Sequence, residues 1–320
     1  MRRSLHLFAL LALIVTSFNS IHAQTPEAAL NLFKNALKKT EKGDLDGAVE
    51  DYTRAITLSS RLNTRERGSR VPVNSFTGSE SVDNSSDAIT VIDPFTANAY
   101  NNRGLIRYQK GDYPGALEDF NAAIRIRPGL AAAYLNRAAA LCATGEKLNA
   151  VKDLDRAIAL QKDFFQAYSN RGSLHHDLGN DKEALADLNR AVQLNNRSAD
   201  TFYHRGYANL VVNNLDASVK DFDRAIELSP QMSWAYQGRG TVLMKKGEMP
   251  AAIENFNRAL ELNPEIVWAY FNRGLARVYL GNEAEAQGDF DTVLKMRPDL
   301  KEQLKNKIEL ARFLRVAPKE

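Results

Sequence analysis

Six arginines stand 34 residues apart, at Arg103, Arg137, Arg171, Arg205, Arg239 and Arg273, and each follows an aromatic residue by three places: Tyr100, Tyr134, Tyr168, Phe202, Tyr236 and Tyr270. The register runs through the whole unit. A small residue follows each arginine (Gly104, Ala138, Gly172, Gly206, Gly240, Gly274), and seven places later comes a glycine or asparagine (Gly111, Gly145, Gly179, Asn213, Gly247, Gly281). Pro128, Pro230, Pro264 and Pro298 close four of the six units. A strict period of this length constrains the chain to an array of like units. One short unit cannot bury its apolar face alone and must stack it on the next.

Each unit reads as two amphipathic helices. The glycine or asparagine tolerates the left-handed conformation that ends the first, and the proline stops the second. Small residues at Ala116, Ala150, Ala184, Ser218, Ala252 and Ala286 admit close approach, and Phe120, Leu154, Leu188, Phe222, Phe256 and Phe290 fill the remaining gaps. At about 100° per residue, the aromatic, the arginine and the small residue share the face that meets the second helix. An arginine there needs a counter-charge, because an unpaired buried charge costs several kcal/mol. Sixteen residues on stand the aspartates that supply it. The predicted structural ion pairs are Arg103 with Asp119, Arg137 with Asp153, Arg171 with Asp187, Arg205 with Asp221, and Arg273 with Asp289. Asn255 takes this place opposite Arg239, offering a hydrogen bond but no charge, so the fifth unit is predicted to be softer.

This set of aromatic, glycine, alanine, second aromatic and proline resembles the tetratricopeptide repeat. The resemblance implies an all-α fold: a right-handed superhelical solenoid of antiparallel helix pairs in 34-residue units, closed by a C-terminal capping helix. Six units cover 97–300. Residues 24–58 hold a divergent N-terminal unit, with Gly43, Ala48, Tyr52 and Ala55 in register but Leu32, Asn35 and Ala36 in place of the aromatic, arginine and glycine. Residues 59–96 break the period, begin with Arg65, Arg67 and Arg70 and continue rich in serine and asparagine; they read as an irregular, flexible insertion. Residues 301–320 read as the capping helix and tail. Leu300, Leu304, Ile308, Ala311 and Leu314 trace one face, and charged residues occupy the other.

Counted from Ala97, the second, fifth, ninth and thirteenth residues of each unit lie away from the partner helix. In the family this side lines a concave groove for extended peptides or partner helices. Early units place small and polar residues there: Asn98, Asn101, Ala132, Gln166 and Ser169. Later units place Tyr203, Tyr207, Trp234, Trp268, Phe271 and Tyr279, which form the expected partner-binding groove. Exposed aromatics on one surface mark an interface, whereas aromatics at helical spacing also form core; both readings remain open for these six. The family's chaperone-binding version holds a C-terminal carboxylate with a lysine, asparagine and arginine clamp. Here Asn101, Leu135, Ser169, Tyr203, Gln237 and Phe271 stand where the clamp lysine would be.

The first 23 residues set the compartment. Arg2 and Arg3 precede an apolar run, Leu5 to Val15, and a polar stretch ends at Ala23. This is the pattern of a signal peptide cut before Gln24, too short for a membrane span. Its removal takes the net charge from +3 to +1, which gives no electrostatic case for nucleic acid or an anionic membrane. Cys142 is the only cysteine, so no intrachain disulfide forms. The three remaining histidines, His175, His176 and His204, read as surface residues, and no serine has an inferable histidine and carboxylate beside it. No catalytic, cofactor-binding or metal-ligating residue is assigned. The expectation is a periplasmic or secreted, non-enzymatic scaffold or adaptor for a protein or peptide partner. The alternative is a regulatory or substrate-presenting subunit of an envelope glycosyltransferase or protease.

Overall fold

The computed structural model describes residues 27–68 and 94–316. The signal-peptide reading of 1–23 and most of the stretch read as an insertion lie outside the described residues. The chain forms two compact units that divide after Asp163. The first unit pairs α1 (Glu27–Glu41) with α2 (Leu45–Gly68), α3 (Pro94–Gln109) with α4 (Tyr113–Ile126), and α5 (Ala131–Ala143) with α6 (Lys147–Leu160). The second pairs α7 (Phe165–Asp177) with α8 (Asp181–Leu194), α9 (Ala199–Val211) with α10 (Leu215–Leu228), α11 (Ser233–Lys245) with α12 (Met249–Leu262), and α13 (Val267–Leu280) with α14 (Glu283–Met296). A 3-10 turn, Pro298–Leu300, then leads into α15 (Lys301–Val316), which packs on α13. The described residues contain no strand, and the all-α class read from the period holds. The first helix of each pair is called its A helix and the second its B helix.

The turns and the close contacts follow from the repeated residues. Each A helix runs into its B helix through a residue with positive φ: glycine in most repeats, and Asn213 (φ 63°) between α9 and α10. Asparagine is the side-chain-bearing residue best suited to that region, which explains its one appearance in the glycine column. Helix α11 carries both glycines of its Gly-Arg-Gly run against aromatic rings. A Cβ on Gly238 would sit 2.5 Å from the Phe222 ring of α10, and one on Gly240 would sit 2.7 Å from the Phe256 ring of α12. Phe222 and Phe256 are fully buried. A B-helix phenylalanine is thus a plug that requires an absent side chain opposite it.

Two boundaries differ from the reading of the sequence. Helix α2 continues to Gly68, and α3 already begins at Pro94, so both ends of the stretch 59–96 are helical rather than irregular. At the C-terminus, Leu300, Leu304 and Ala311 are buried in a cluster with Phe271, Leu275 and Phe290. Leu314, assigned to the same stripe, is exposed, as are Leu310 and Phe313 on the side expected to be charged. Arg312 and Arg315 reach back to Glu283 at the start of α14 and tie the cap down through charge.

Candidate binding face of the second unit

The repeated arginine builds the frame on which the face stands. In Arg103, Nε and Nη2 donate to the two carboxylate oxygens of Asp119 at 2.9 and 2.6 Å. The same two-pronged contact joins Arg137 to Asp153, Arg171 to Asp187, Arg205 to Asp221 and Arg273 to Asp289, with closest approaches of 2.5–2.7 Å. Each guanidinium also lies 5.4–5.7 Å from the ring centroid of the aromatic three residues before it. Parallel N–H bonds to a carboxylate and a ring beneath the cation are the arrangement for which arginine, not lysine, is suited.

A third contact was not read from the period. The free Nη1 reaches sixteen residues back, into the preceding repeat: Arg137 to Asn121, Arg205 to Asn189 and Arg273 to Asn257. Arg103 finds Thr53 of α2 instead. Each of these arginines therefore clips its own hairpin to its neighbour. Arg239 changes the expectation for the fifth unit. Its Nε donates to Asn255 at 2.7 Å, but its Nη1 meets Asp223 at 2.6 Å. The charge missing ahead is supplied from behind, so Arg239 is not left without a carboxylate.

The A helices of the second unit also hold one another by polar side chains. Ser169 and Thr201 share a hydroxyl–hydroxyl bond of 3.0 Å, and Ser173 Oγ lies 3.1 Å from His204 Nδ1. Tyr207 Oη donates to Gln237 Oε1 at 2.5 Å, and Asn272 donates to Thr241. The residue types change from repeat to repeat, so no column in the sequence announces them. His204 is not a surface residue. Burial drives its pKa down from 6.5 to about 4, with Asp177 opposing the shift, so the imidazole is neutral at pH 7. His176 Nδ1 bonds Asp181 at 2.6 Å. The two histidines pair differently: His204 with the hydroxyl of Ser173, His176 with the carboxylate of Asp181. No group of three metal-ligating side chains occurs among those residues.

The six aromatics expected to form one groove take different positions. Trp234 is 41% exposed, with no ring partner among the described residues. Tyr203 and Tyr207 are half-buried; their rings stand 5.1 Å apart, edge to face, and both lie edge-on to Phe222. Trp268 is half-buried, 5.2 Å from Phe271, and Tyr279 packs against the α15 cluster. Phe271 is only 3% exposed. It is core, because α15 covers that end of the unit and draws the ring into its own apolar cluster. The open part of the face is centred on Trp234, with Tyr203 and Tyr207 on α9.

Asp200 belongs to this face and was not singled out from the sequence. It is the second residue of its unit, the place held by Trp234 one repeat later, and it lies one helical turn before Tyr203. It is half-buried, and burial raises its carboxyl pKa. No described cation pairs with it.

Comparison with known proteins agrees with this architecture. A family model described as "TPR repeat" matches residues 104–145 and 240–281, and one described as "Tetratricopeptide repeat" matches 165–198. A tetratricopeptide repeat protein from Parabacteroides merdae ATCC 43184 superposes with a TM-score of 0.58 at 20% identity, covering 89% of this chain and 98% of that one. The structure reported as a functional characterization of Pseudomonas aeruginosa pilF gives 0.60 at 18% identity, over 67% of this chain and 97% of that one. PilW, described as a widely conserved type IV pilus biogenesis factor, gives 0.58 at 18% identity over 66% and 97%. No curated protein sequence matches significantly. The chain carries tetratricopeptide repeats, and at these identities the solved structures bear on its fold alone.

Proposed function

We propose that this protein is an adaptor that docks a segment of a protein partner, extended or helical, on the A-helix face of its second unit. One observation carries the reading. Trp234 is held in the first turn of α11 with two-fifths of its surface open. An exposed indole beside two partly open tyrosines is the composition of an interface anchor, where a few large aromatic residues supply most of the binding energy. The arginine clips and hydroxyl bonds beneath make the surface pre-organised, which lowers the ordering cost of binding. Nothing in the geometry favours the role of enzyme subunit over that of a free adaptor.

A photo-crosslinking residue placed at 234 should trap a defined partner in the native host. The same residue at Glu254, on α12, should not. Equal labelling from both places would remove the docking assignment.

Export belongs to the same proposal. The basic start, short apolar run and small residue at Ala23 support it, and no described helix is long and apolar enough to cross a membrane. The intact mass of protein recovered from the native host should begin at Gln24; retention of residues 1–23 would sink the periplasmic or secreted assignment.

A further inference from the structure

Of the residues at the second, fifth and ninth places of α7, α9, α11 and α13, Asp200 alone carries a charge. Elsewhere the second place is neutral: Asn98, Ala132, Gln166, Trp234 and Trp268. The repeat architecture therefore does not call for a carboxylate at this point. Nor does the helix end require one, since Ser198 already caps α9 by accepting from the Thr201 N–H. The aspartates that serve the scaffold are each clasped by an arginine. Asp200 is half-buried and forms no ion pair with any described residue. Lys245, a cation at the thirteenth place of α11, lies eleven positions further along the helix direction, about 16 Å by helical rise.

Two aromatic residues hold the places next to Asp200 in the repeat register. Tyr203 follows by one turn on the same helix face, where residues three apart are neighbours. Trp234 occupies the same repeat place on α11, which packs directly against α9, and its indole is open. A carboxylate on a face that also carries aromatic residues complements a cation carried on a flat or apolar stem. The guanidinium of arginine can stack on the indole while forking to the carboxylate, and lysine can lay its methylenes there. An acidic segment would be repelled, and a purely apolar one would leave Asp200 desolvated and unpaired.

We propose that Asp200, between Tyr203 and Trp234, is the subsite that receives a basic side chain, arginine or lysine, from the docked segment, with an apolar residue of that segment next to it on Trp234. This rests on the docking reading above and narrows it to one partner chemistry.

The test uses a phage-displayed library of random linear peptides, selected on the purified wild-type protein and on Asp200→Asn. The wild type should enrich peptides that align with one basic residue beside an apolar one. Asp200→Asn should keep the apolar preference and lose the basic one. The most enriched peptide, with its basic residue then replaced by norleucine, should lose about tenfold or more in affinity for the wild type and little for Asp200→Asn. Enriched peptides without a basic preference, or discrimination that survives in Asp200→Asn, would overturn the subsite and leave the docking face standing. Enrichment of nothing by the wild type, or of peptides that bind Trp234→Ala equally well, would overturn the docking reading itself and this inference with it. Asp200→Asn is isosteric on a first-turn residue, and an unchanged thermal midpoint shows that the comparison is between folded proteins.

Discussion

The A helices of the two units share one plan and are finished differently. In α3 and α5 the outward places hold Asn101, Ala132, Leu135 and Ala139, which are buried, and Asn98, which is half-buried, and Asn136 donates to Asn101 across the pair. In α9 and α11 the same places hold Tyr203, Tyr207 and Trp234, which remain partly or largely open. The arginine, its ring and its aspartate are alike in α3, α5 and α9. The hairpin is therefore secured by residues that face inward, and the outward places are free to vary without unfolding it. Stability should follow the inward residues and binding the outward ones.

The strongest challenge to that division is Phe222→Ala. The ring is fully buried, has Gly206 and Gly238 pressed on it, and supports Tyr203 and Tyr207 from beneath. Truncation leaves a void between two helix pairs and should cost about 3–5 kcal/mol in urea denaturation. A loss below about 1 kcal/mol would mean that the repeats do not depend on the plug, and the distinction between inward and outward residues would fail.

The arginine clips sharpen the comparison next. Arg205→Ala leaves Asp221 buried, with only the amide of Asn209 still bonded to it. Arg273→Ala leaves Asp289 held by Arg277 at 2.8 Å. Arg239→Ala leaves Asp223, whose side chain is already partly open to solvent. Stability losses should fall in that order, from about 3 to about 1 kcal/mol, because the cost scales with the charge left buried and uncompensated. Equal losses in chemical denaturation would show that ring stacking, common to all three, dominates the pairing.

A smaller effect should appear on acidification. His204 is neutral in the fold with a pKa near 4, against 6.5 when unfolded. Between these values the unfolded chain binds more protons, so this contribution is complete above pH 6.5 and declines as the pH falls toward 4. Allowing for the exposure the residue retains, the loss should be on the order of 2 kcal/mol. The equivalent place holds Asn102, Asn136, Asn170 and Asn272 in other repeats. His204→Asn should then match the wild type at pH 7.5 and be the more stable of the two at pH 5. Parallel stability profiles for the two proteins would exclude His204 as the titrating group.

Much of the frame was legible because it is periodic. The contacts that define the hairpin recur at a fixed spacing, so five copies expose the arginine–aspartate geometry and four the glycine opposite a phenylalanine. Contacts between repeats were not legible where their chemistry changes. The arginine's backward reach meets Asn121, Asn189, Asp223 or Asn257, and the bonds between A helices use hydroxyl, imidazole and amide in turn. The face was legible as a set of places but not as a set of exposures. Phe271 and Trp234 both stand at outward places, and only the covering of one end by α15 makes the first core while the second stays open.

The smallest expected effect on stability belongs to Trp234, and it is the one that tests the face. Trp234→Ala removes an open side chain and creates no enclosed cavity, so the melting midpoint and helical signal should stay within the scatter of ordinary surface substitutions, about 0.5 kcal/mol. Partner affinity should fall by about 2 kcal/mol or more, the usual cost of removing an interface anchor. Trp268→Ala is the internal control. Its indole is half-buried against Phe271 in the cluster closed by α15, so truncation should lower the melting midpoint measurably and weaken binding less. Thermal unfolding and partner capture measured on the same two preparations distinguish the cases. A destabilised Trp234→Ala, or one that captures partner as well as the wild type, would return this residue to the scaffold and remove the anchor of the proposed face.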